Sequence, residues 1–285
     1  MDKEKLSEKL GINVLQIKPV SGGDINKSYC IVSDREKYFI KLNFSKNYPG
    51  LFKAEALGLK KLSVSNYLGI PTVLKTGEIG DQQYLLMEWI YTELNPKLYS
   101  NELLARGLAA IHQTHQENFG FESDNYIGTL KQFNNVHKSW ADFYYTERLY
   151  PLLRIMVDKY NLEPSCFGML EKLHKKLNVL FPIEQPSLLH GDLWCGNVMG
   201  GKGGKPQIYD PAVYFGHREM DLGMMKLFGG FDNDVFEIYN ELFPLENEWQ
   251  FRIQLTQLYP IMVHAVLFGG IYVKEVLNTL TLFGK

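Results

Sequence analysis

Hydrophobic periodicity changes character once along this chain, close to residue 90, and that change restricts the folds open to it. Before it, Val14–Val20 and residues 28–32 are short, partly alternating apolar runs, separated by the turn-forming Ser21-Gly22-Gly23-Asp24-Ile25-Asn26. Residues 38–42 are a third strand candidate. Val73–Ile79 and residues 83–90 read as a hairpin turned at Gly80-Asp81. One helix interrupts the strands, with Phe52, Ala56, Leu59 and Leu62 at helical spacing. After residue 90 the helical period dominates: Leu103, Leu104, Leu108 and Ile111 repeat on one face, and similar stretches follow over 140–160 and 167–180. A β-like insert over 188–209 is followed by helix from Met220 onward. The predicted class is α+β: a small β-rich lobe with one helix over 1–90, and a larger, mainly α-helical lobe over 91–285, joined near 88–91.

The chain's 285 residues amount to about two domains' worth of material. With 45% hydrophobic and 22% charged residues, it is expected to bury a substantial core. Lys and Arg total 30 against 32 Asp and Glu, so no bulk attraction to nucleic acid or anionic lipid is expected. Any phosphate chemistry must then come from a local site. The first residues, MDKEKLSEKL, do not read as a signal peptide. The most apolar segment, 258–273, is interrupted by Pro260, His264, Gly269 and Gly270 and is shorter than the roughly 20 residues of a membrane helix. Cys30, Cys166 and Cys195 are odd in number and form no CxxC pair, which suits a reduced, cytoplasmic setting. No obligate protein partner is indicated.

One segment carries most of the chemistry: Leu188-Leu189-His190-Gly191-Asp192-Leu193-Trp194-Cys195-Gly196-Asn197, followed thirteen residues later by Asp210 in Ile208-Tyr209-Asp210-Pro211. The H-x-D-x-x-x-x-N spacing and the later aspartate are those of a kinase catalytic loop with a metal-binding acid. A carboxylate at Asp192 can accept a hydroxyl proton and hold that oxygen in line with the γ-phosphorus of ATP. Asn197 and Asp210 offer hard oxygen ligands to Mg²⁺. Each residue alone has an ordinary structural role, such as a capping Asp or a loop Asn, and the combined spacing is what points to phosphoryl transfer. Lys41 lies inside the apolar run Tyr38-Phe39-Ile40-Lys41-Leu42 and is placed to bind the α- and β-phosphates, unless it merely faces solvent from an edge strand. Glu55, on the predicted helix, can hold Lys41 by an ion pair or be one polar position among several. Gly22 and Gly23 can bring backbone N–H groups over the phosphates, although the G-x-G-x-x-G spacing is absent.

Other features have simpler readings. Gly200-Gly201-Lys202-Gly203-Gly204-Lys205 fails the P-loop pattern because Pro206 stands where Ser or Thr is required, so a hairpin is expected. His112 and His264 read as satisfied core histidines, and no His/Cys spacing suggests zinc. Asp221 either caps the next helix or reaches back to the catalytic-loop backbone.

Taken together, His190-Gly191-Asp192-Leu193-Trp194, Gly196-Asn197, Asp210-Pro211-Ala212, Gly216-His217-Arg218-Glu219 and Asp221-Leu222 resemble the fructosamine kinase (ketosamine-3-kinase) family, related to aminoglycoside and choline phosphotransferases. Gly22-Gly23-Asp24-Ile25-Asn26, Asn125-Tyr126-Ile127-Gly128 and Ser139-Trp140-Ala141-Asp142-Phe143 extend the resemblance over nearly the whole chain. It implies a two-lobed, protein-kinase-like fold and ATP-dependent phosphorylation of a sugar-derived hydroxyl of a small-molecule or protein-linked ketosamine, with deglycation following. It further implies Asp192 as catalytic base, Asn197 and Asp210 on Mg²⁺, and Lys41 on ATP, positioned by Glu55. Adenine would meet the backbone of Glu88, Trp89 and Ile90, and Trp194 would line the acceptor pocket. Asp24 stands where some members carry a cysteine, so redox-controlled dimers of that kind are not expected. Two alternatives remain open: a kinase for an aminoglycoside, choline or similar alcohol, and a nucleotide-binding pseudokinase.

Overall fold

The alternating segments of the first ninety residues build one antiparallel sheet. The computed structural model describes residues 3–21, 26–92, 95 and 98–284. A short helix, α1 (Lys3–Leu10), precedes strands β1 (Val14–Val20), β2 (Lys27–Ser33) and β3 (Lys37–Phe44). Helix α2 (Leu51–Leu62) follows, and then the hairpin β4 (Val73–Ile79) and β5 (Gln82–Glu88). The strands pair in the order β1-β2-β3-β5-β4, so β3 is the central strand.

Side chains alternate across a strand, and β3 shows the consequence. Ile40 and Leu42 point to the face that packs with Ile31, Tyr84 and Leu86 against Leu6 and Leu10 of α1. Phe39 faces the other way, toward Leu51, Phe52 and Leu59 of α2 together with Leu85 and Met87 of β5. Because β5 is covered on both faces, its middle, Tyr84 to Met87, is continuously apolar and buried. Lys41 alternates with Ile40 and Leu42 and therefore lies on the α2 side, opposite Leu85. It is not on an edge strand and is only 4% exposed. Helix α1 was hidden by its charge, since only Leu6 and Leu10 are buried.

The helical half is built from α3 (Asn101–His112), the small hairpin β6 (Asn125–Ile127) and β7 (Leu130–Gln132), α4 (Trp140–Phe143), α5 (Tyr150–Tyr160) and α6 (Ser165–Leu180). After them come β8 (Ser187–Leu189), β9 (Val198–Gly200), β10 (Pro206–Ile208), β11 (Tyr214–Gly216), α7 (Glu219–Leu227), α8 (Asn233–Leu242), α9 (Trp249–Phe268) and α10 (Ile271–Phe283). The predicted β-like insert is thus two small ladders, β9 with β10 and β8 with β11. The glycine tract after β9 turns that first ladder as a hairpin, with Gly203 at φ 68° and Gly204 at φ 72°. Among the described residues, no helix is long and apolar enough to cross a membrane.

A π-helical segment, Tyr144–Leu149, joins α4 to α5. It buries Arg148, whose guanidinium lies over the rings of Phe143 (4.5 Å) and Tyr214 (4.1 Å) and donates to Asn134 Oδ1 at 2.7 Å. Asn134 in turn donates to Asn125 Oδ1. Asn125 Nδ2 donates to Val213 O at 2.7 Å and Gln132 Nε2 to Ala212 O at 3.0 Å. The β6–β7 hairpin therefore pins the stretch just after Asp210, a contact between distant segments that no local pattern announces.

The packing of α1 and the sheet gives a direct test. Ile40→Ala removes a fully buried side chain between them and is expected to cost about 2–5 kcal/mol. A lowered midpoint of urea unfolding at unchanged slope would report it.

Candidate active site

Three carboxylates and one ammonium converge where the sheet meets the helical lobe. Lys41 Nζ donates to Glu55 Oε1 of α2 at 2.6 Å and to Asp210 Oδ1, whose residue lies 169 positions further along the chain. Burial alone would push the Lys41 ammonium down. The charges of Asp210 and Glu55 outweigh it and hold the group above the usual lysine range. Glu55 is raised, chiefly by burial and further by Asp210, with Lys41 pulling the other way. Asp210 adopts φ 58°, a left-handed conformation that Asp tolerates better than most residues. About 43% of its side chain remains open, so one carboxylate oxygen meets Lys41 while the group still faces the cleft.

The loop after β8 supplies the other members. Gly191 sits at φ 82°, and a Cβ there would lie 2.0 Å from Ala212 O, so glycine alone lets the loop run this close to the segment following Asp210. His190 Nε2 faces Tyr209 O at 3.1 Å, and Asp192 N–H donates to His190 Nδ1 at 3.3 Å. A carbonyl only accepts, so the proton belongs on Nε2 and Nδ1 is left as acceptor. Burial lowers the pKa of this ring, with Asp221 opposing. Asn197 closes a 3₁₀ turn (Cys195–Asn197) and spends its amide protons on Asp192, at 2.8 Å to the carbonyl and 3.2 Å to Oδ2. Its own Oδ1 is then the atom left for a cation.

Asp192 is raised to about 7, mainly by burial and then by the charge of Asp210, with the Asn197 hydrogen bond opposing. The cluster also carries excess negative charge: Glu55, Asp192 and Asp210 gather around a single lysine. The donor set therefore fits a hard dication whose remaining ligands are phosphate oxygens and water. Among the described residues no group of three or more His, Cys, Asp or Glu is arranged to hold a metal unaided.

Behind the loop, Asp221 resolves the choice between cap and brace. Its Oδ2 accepts from His190 N–H at 2.7 Å and its Oδ1 from Gly191 N–H at 2.9 Å. His112 Nε2 also reaches Oδ2 at 3.2 Å, while His112 Nδ1 meets the Tyr239 hydroxyl at 2.8 Å. His112 is thus the satisfied core histidine expected, and it also steadies the loop's brace. Burial works against the charge on Asp221, but His112, His190 and the Gly191 N–H outweigh it and hold its pKa below the ordinary value.

A cavity of about 640 Å³ brings Lys41, Glu55, Asp192, Trp194, Asn197 and Asp210 onto one surface. Trp194 is 38% exposed and its ring lies over Gly196, where a Cβ would fall 2.2 Å from the indole. Glu88, Trp89 and Ile90 are not among the residues lining this cavity. Glu88 ends β5 with its N–H on Thr72 O and its carboxylate on Thr72 N–H, both at 3.0 Å, and Trp89 rests near Phe39 at 6.3 Å between ring centroids. Gly22 and Gly23 lie outside the described residues. His264 corrects its core assignment: it is only partly buried and lines the cavity with Phe228, Phe268 and Tyr272. The all-round apolar character of α9 made an inward-facing histidine look like core; its break at Gly269-Gly270 was the available signal of a helix end at a cavity. Asn125, Tyr126, Ile127 and Gly128 of the resembling motif also line the cavity, although sequence reasoning gave them no role.

Comparison with known proteins follows the same lines. The fructosamine kinase family model matches residues 2–283. A probable ketoamine kinase of Enterococcus faecium is 38% identical, the match covering 97% of this chain and 98% of that protein. A crystal structure described as a candidate fructosamine-3-kinase from Thermobifida fusca superposes with a TM-score of 0.85 at 33% identity, covering 98% of this chain and 96% of that one. The aminoglycoside phosphotransferase APH(4)-Ia shares the fold alone, with a TM-score of 0.61 at 17% identity, covering 98% and 97%.

The brace yields a prediction with a pH signature. Asp221→Asn is expected to cost about 2–3 kcal/mol near neutral pH, because a carboxylate accepting buried N–H bonds becomes an amide with one acceptor. Since the native pKa is depressed, the carboxylate's contribution is complete above the unfolded value of about 3.9 and is lost as pH falls through the lower native value. The deficit measured by denaturant unfolding should therefore shrink below about pH 4.

Proposed function

The chain belongs to the fructosamine kinase family, and from that premise we propose that it transfers the γ-phosphoryl group of ATP to a sugar-derived hydroxyl of a ketosamine, on a small molecule or a glycated protein. An ATP-dependent kinase acting on a hydroxyl is what family membership makes it. The observation that carries the reading is that Asp192, Asn197, Asp210 and Lys41 line one cleft together, with Trp194 on the same cavity.

In this reading residues 1–90 hold the nucleotide and 91–285 supply the loop and the acceptor pocket. Lys41 binds the α- and β-phosphates, and its bonds to Glu55 and Asp210 fix the direction of its Nζ. The backbone at Glu88, Trp89 and Ile90 receives the adenine, and Gly22 and Gly23 cover the phosphates. Asp192 accepts the proton of the acceptor hydroxyl as its oxygen attacks phosphorus; a carboxyl near 7 is matched to that task close to neutral pH. Asn197 holds Asp192 by two hydrogen bonds, which limits the carboxylate to one orientation. Asn197 Oδ1 and the Asp210 carboxylate would hold Mg²⁺, which neutralises charge on the transferring group when bound. Trp194 offers a flat apolar face to the ketose carbons.

Asp192→Asn is expected to lower kcat by about 10²- to 10⁴-fold while nucleotide binding and thermal midpoint stay near wild type. ADP release with ribulosyl- or fructosyl-lysine measures the first, and nucleotide titration the second. Chelation of divalent cations should abolish turnover and added Mg²⁺ restore it. Near-wild-type turnover by Asp192→Asn, or preference for a plain amino alcohol over both ketosamines, would overturn the assignment.

A further inference from the structure

Beyond Trp194 the cleft changes from charged to aromatic. The Trp194 ring meets Phe228 edge-on at 6.2 Å and 75°, and Phe228 lies 4.9 Å from His264. His264 is the hub, with Phe268 at 5.6 Å and Tyr272 at 5.2 Å between ring centroids. All five rings line the same cavity as Asp192. They come from three separate stretches: the catalytic loop, the end of α7, and the end of α9 with the start of α10. A core would bury such rings, yet Phe228 is 40% and Phe268 63% exposed.

The polar group in this wall is oriented. His264 Nδ1 lies 2.8 Å from Pro260 O, which only accepts, so Nδ1 carries a proton and Nε2 is the ring nitrogen left to accept. The Lys, Arg, Asp and Glu side chains lining the described cavity are Lys41, Glu55, Asp192 and Asp210, all within the phosphoryl-transfer cluster. The aromatic end therefore presents π-faces and one nitrogen lone pair, with no lysine or arginine to repel a cation.

We propose that this wall binds the protonated secondary amine of the acceptor: Phe228, Tyr272 and Trp194 hold the ammonium charge, and His264 Nε2 accepts its N–H. This deepens the ketosamine reading and rests on it. The amine of a ketosamine is an alkylammonium near neutral pH, and aromatic faces attract such a charge through their quadrupole. A ketose lacking nitrogen, or one whose amine is acylated, forfeits both the charge and the N–H donor. The wall thus explains how a kinase with a general sugar-hydroxyl chemistry would select glycated amines over free ketoses.

The test compares fructosyl-lysine with an isostere carrying CH₂ in place of the bridging NH, as acceptors with Mg-ATP. The wild type is expected to favour the amine about five- to thirty-fold in kcat/KM, expressed mainly in KM. His264→Leu and Phe228→Leu should each bring that ratio toward one, and Phe228→Tyr should retain most of it. Phe228 is half-exposed, so its variants test the wall without threatening the core. Equal use of both acceptors by the wild type overturns the inference while leaving the ketosamine reading intact. So does a ratio that survives both leucine substitutions. Turnover of neither acceptor, alongside turnover of another alcohol, overturns the ketosamine reading and this inference with it.

Discussion

Lys41 Nζ is shared by carboxylates that reach it from opposite sides of the cleft, Glu55 from α2 and Asp210 from the segment after β10. An ammonium this deeply buried costs several kcal/mol unless it is paired, and removing one partner of such a pair typically costs about 3–5 kcal/mol. The central strand can therefore carry a lysine on its α2 face because Glu55 and Asp210 both meet it there. Asp210 in turn arrives in a left-handed backbone conformation, held on its C-terminal side by the hydrogen bonds of Asn125 and Gln132 to Val213 and Ala212. This interaction between the two lobes is thus also the one that aims a carboxylate into the cleft. It leaves the cluster with more negative than positive charge, which favours a cation, and the charge of Asp210 adds to the burial that raises Asp192.

The loop that carries Asp192 rests on a layer of buried polar contacts as well as on the core, in which Leu193 is fully buried. Asp221 satisfies two loop N–H groups with its two oxygens, and His112 and Tyr239 extend that network into α3 and α8. Helix α7, which carries Asp221, is itself held by ion pairs on either side. Arg218 donates to Glu184 at 2.7 Å and to the carbonyls of Phe243 and Pro244. Arg252 of α9 donates to the buried Glu219 at 2.6 Å. Fully satisfied networks of this kind favour one geometry, because any slippage leaves buried charges unpaired. That rigidity is what a loop needs if Asp192 is to meet a hydroxyl with little reorganisation.

Much of this was readable in residue order, for physical reasons that differ by residue. Lys41 stood out because a charge within an apolar strand is costly unless it has a purpose. Asp192, Asn197 and Asp210 were legible as a spacing, since the loop and hairpin between them have nearly fixed reach. The glycines at 191 and 196 belong to that motif because Ala212 O and the Trp194 ring occupy the space a Cβ would need. His264 was misread because a histidine on an apolar helix looks the same whether it faces a core or a cleft. Phe228 and Tyr272 were passed over for the same reason: aromatic residues signal burial, and only their neighbours show that the burial is incomplete. The short β6–β7 hairpin escaped because three-residue strands carry no measurable alternation.

By itself, the sequence determined the α+β class and the order of the main strands and helices, and it singled out the residues proposed to do chemistry. These depend on local stereochemistry: alternation along strands, the helical period, and the few backbone steps between His190 and Asn197. The tertiary structure alone decided that Lys41 meets Asp210 and that Asp221 braces the loop rather than capping a helix. It also decided that the aromatic rings of three separate stretches form one wall beside Asp192. Contacts such as Lys41 with Asp210 link residues 169 positions apart. Their formation depends on which faces bury together, a balance of desolvation and packing summed over the whole core that no local window of sequence contains.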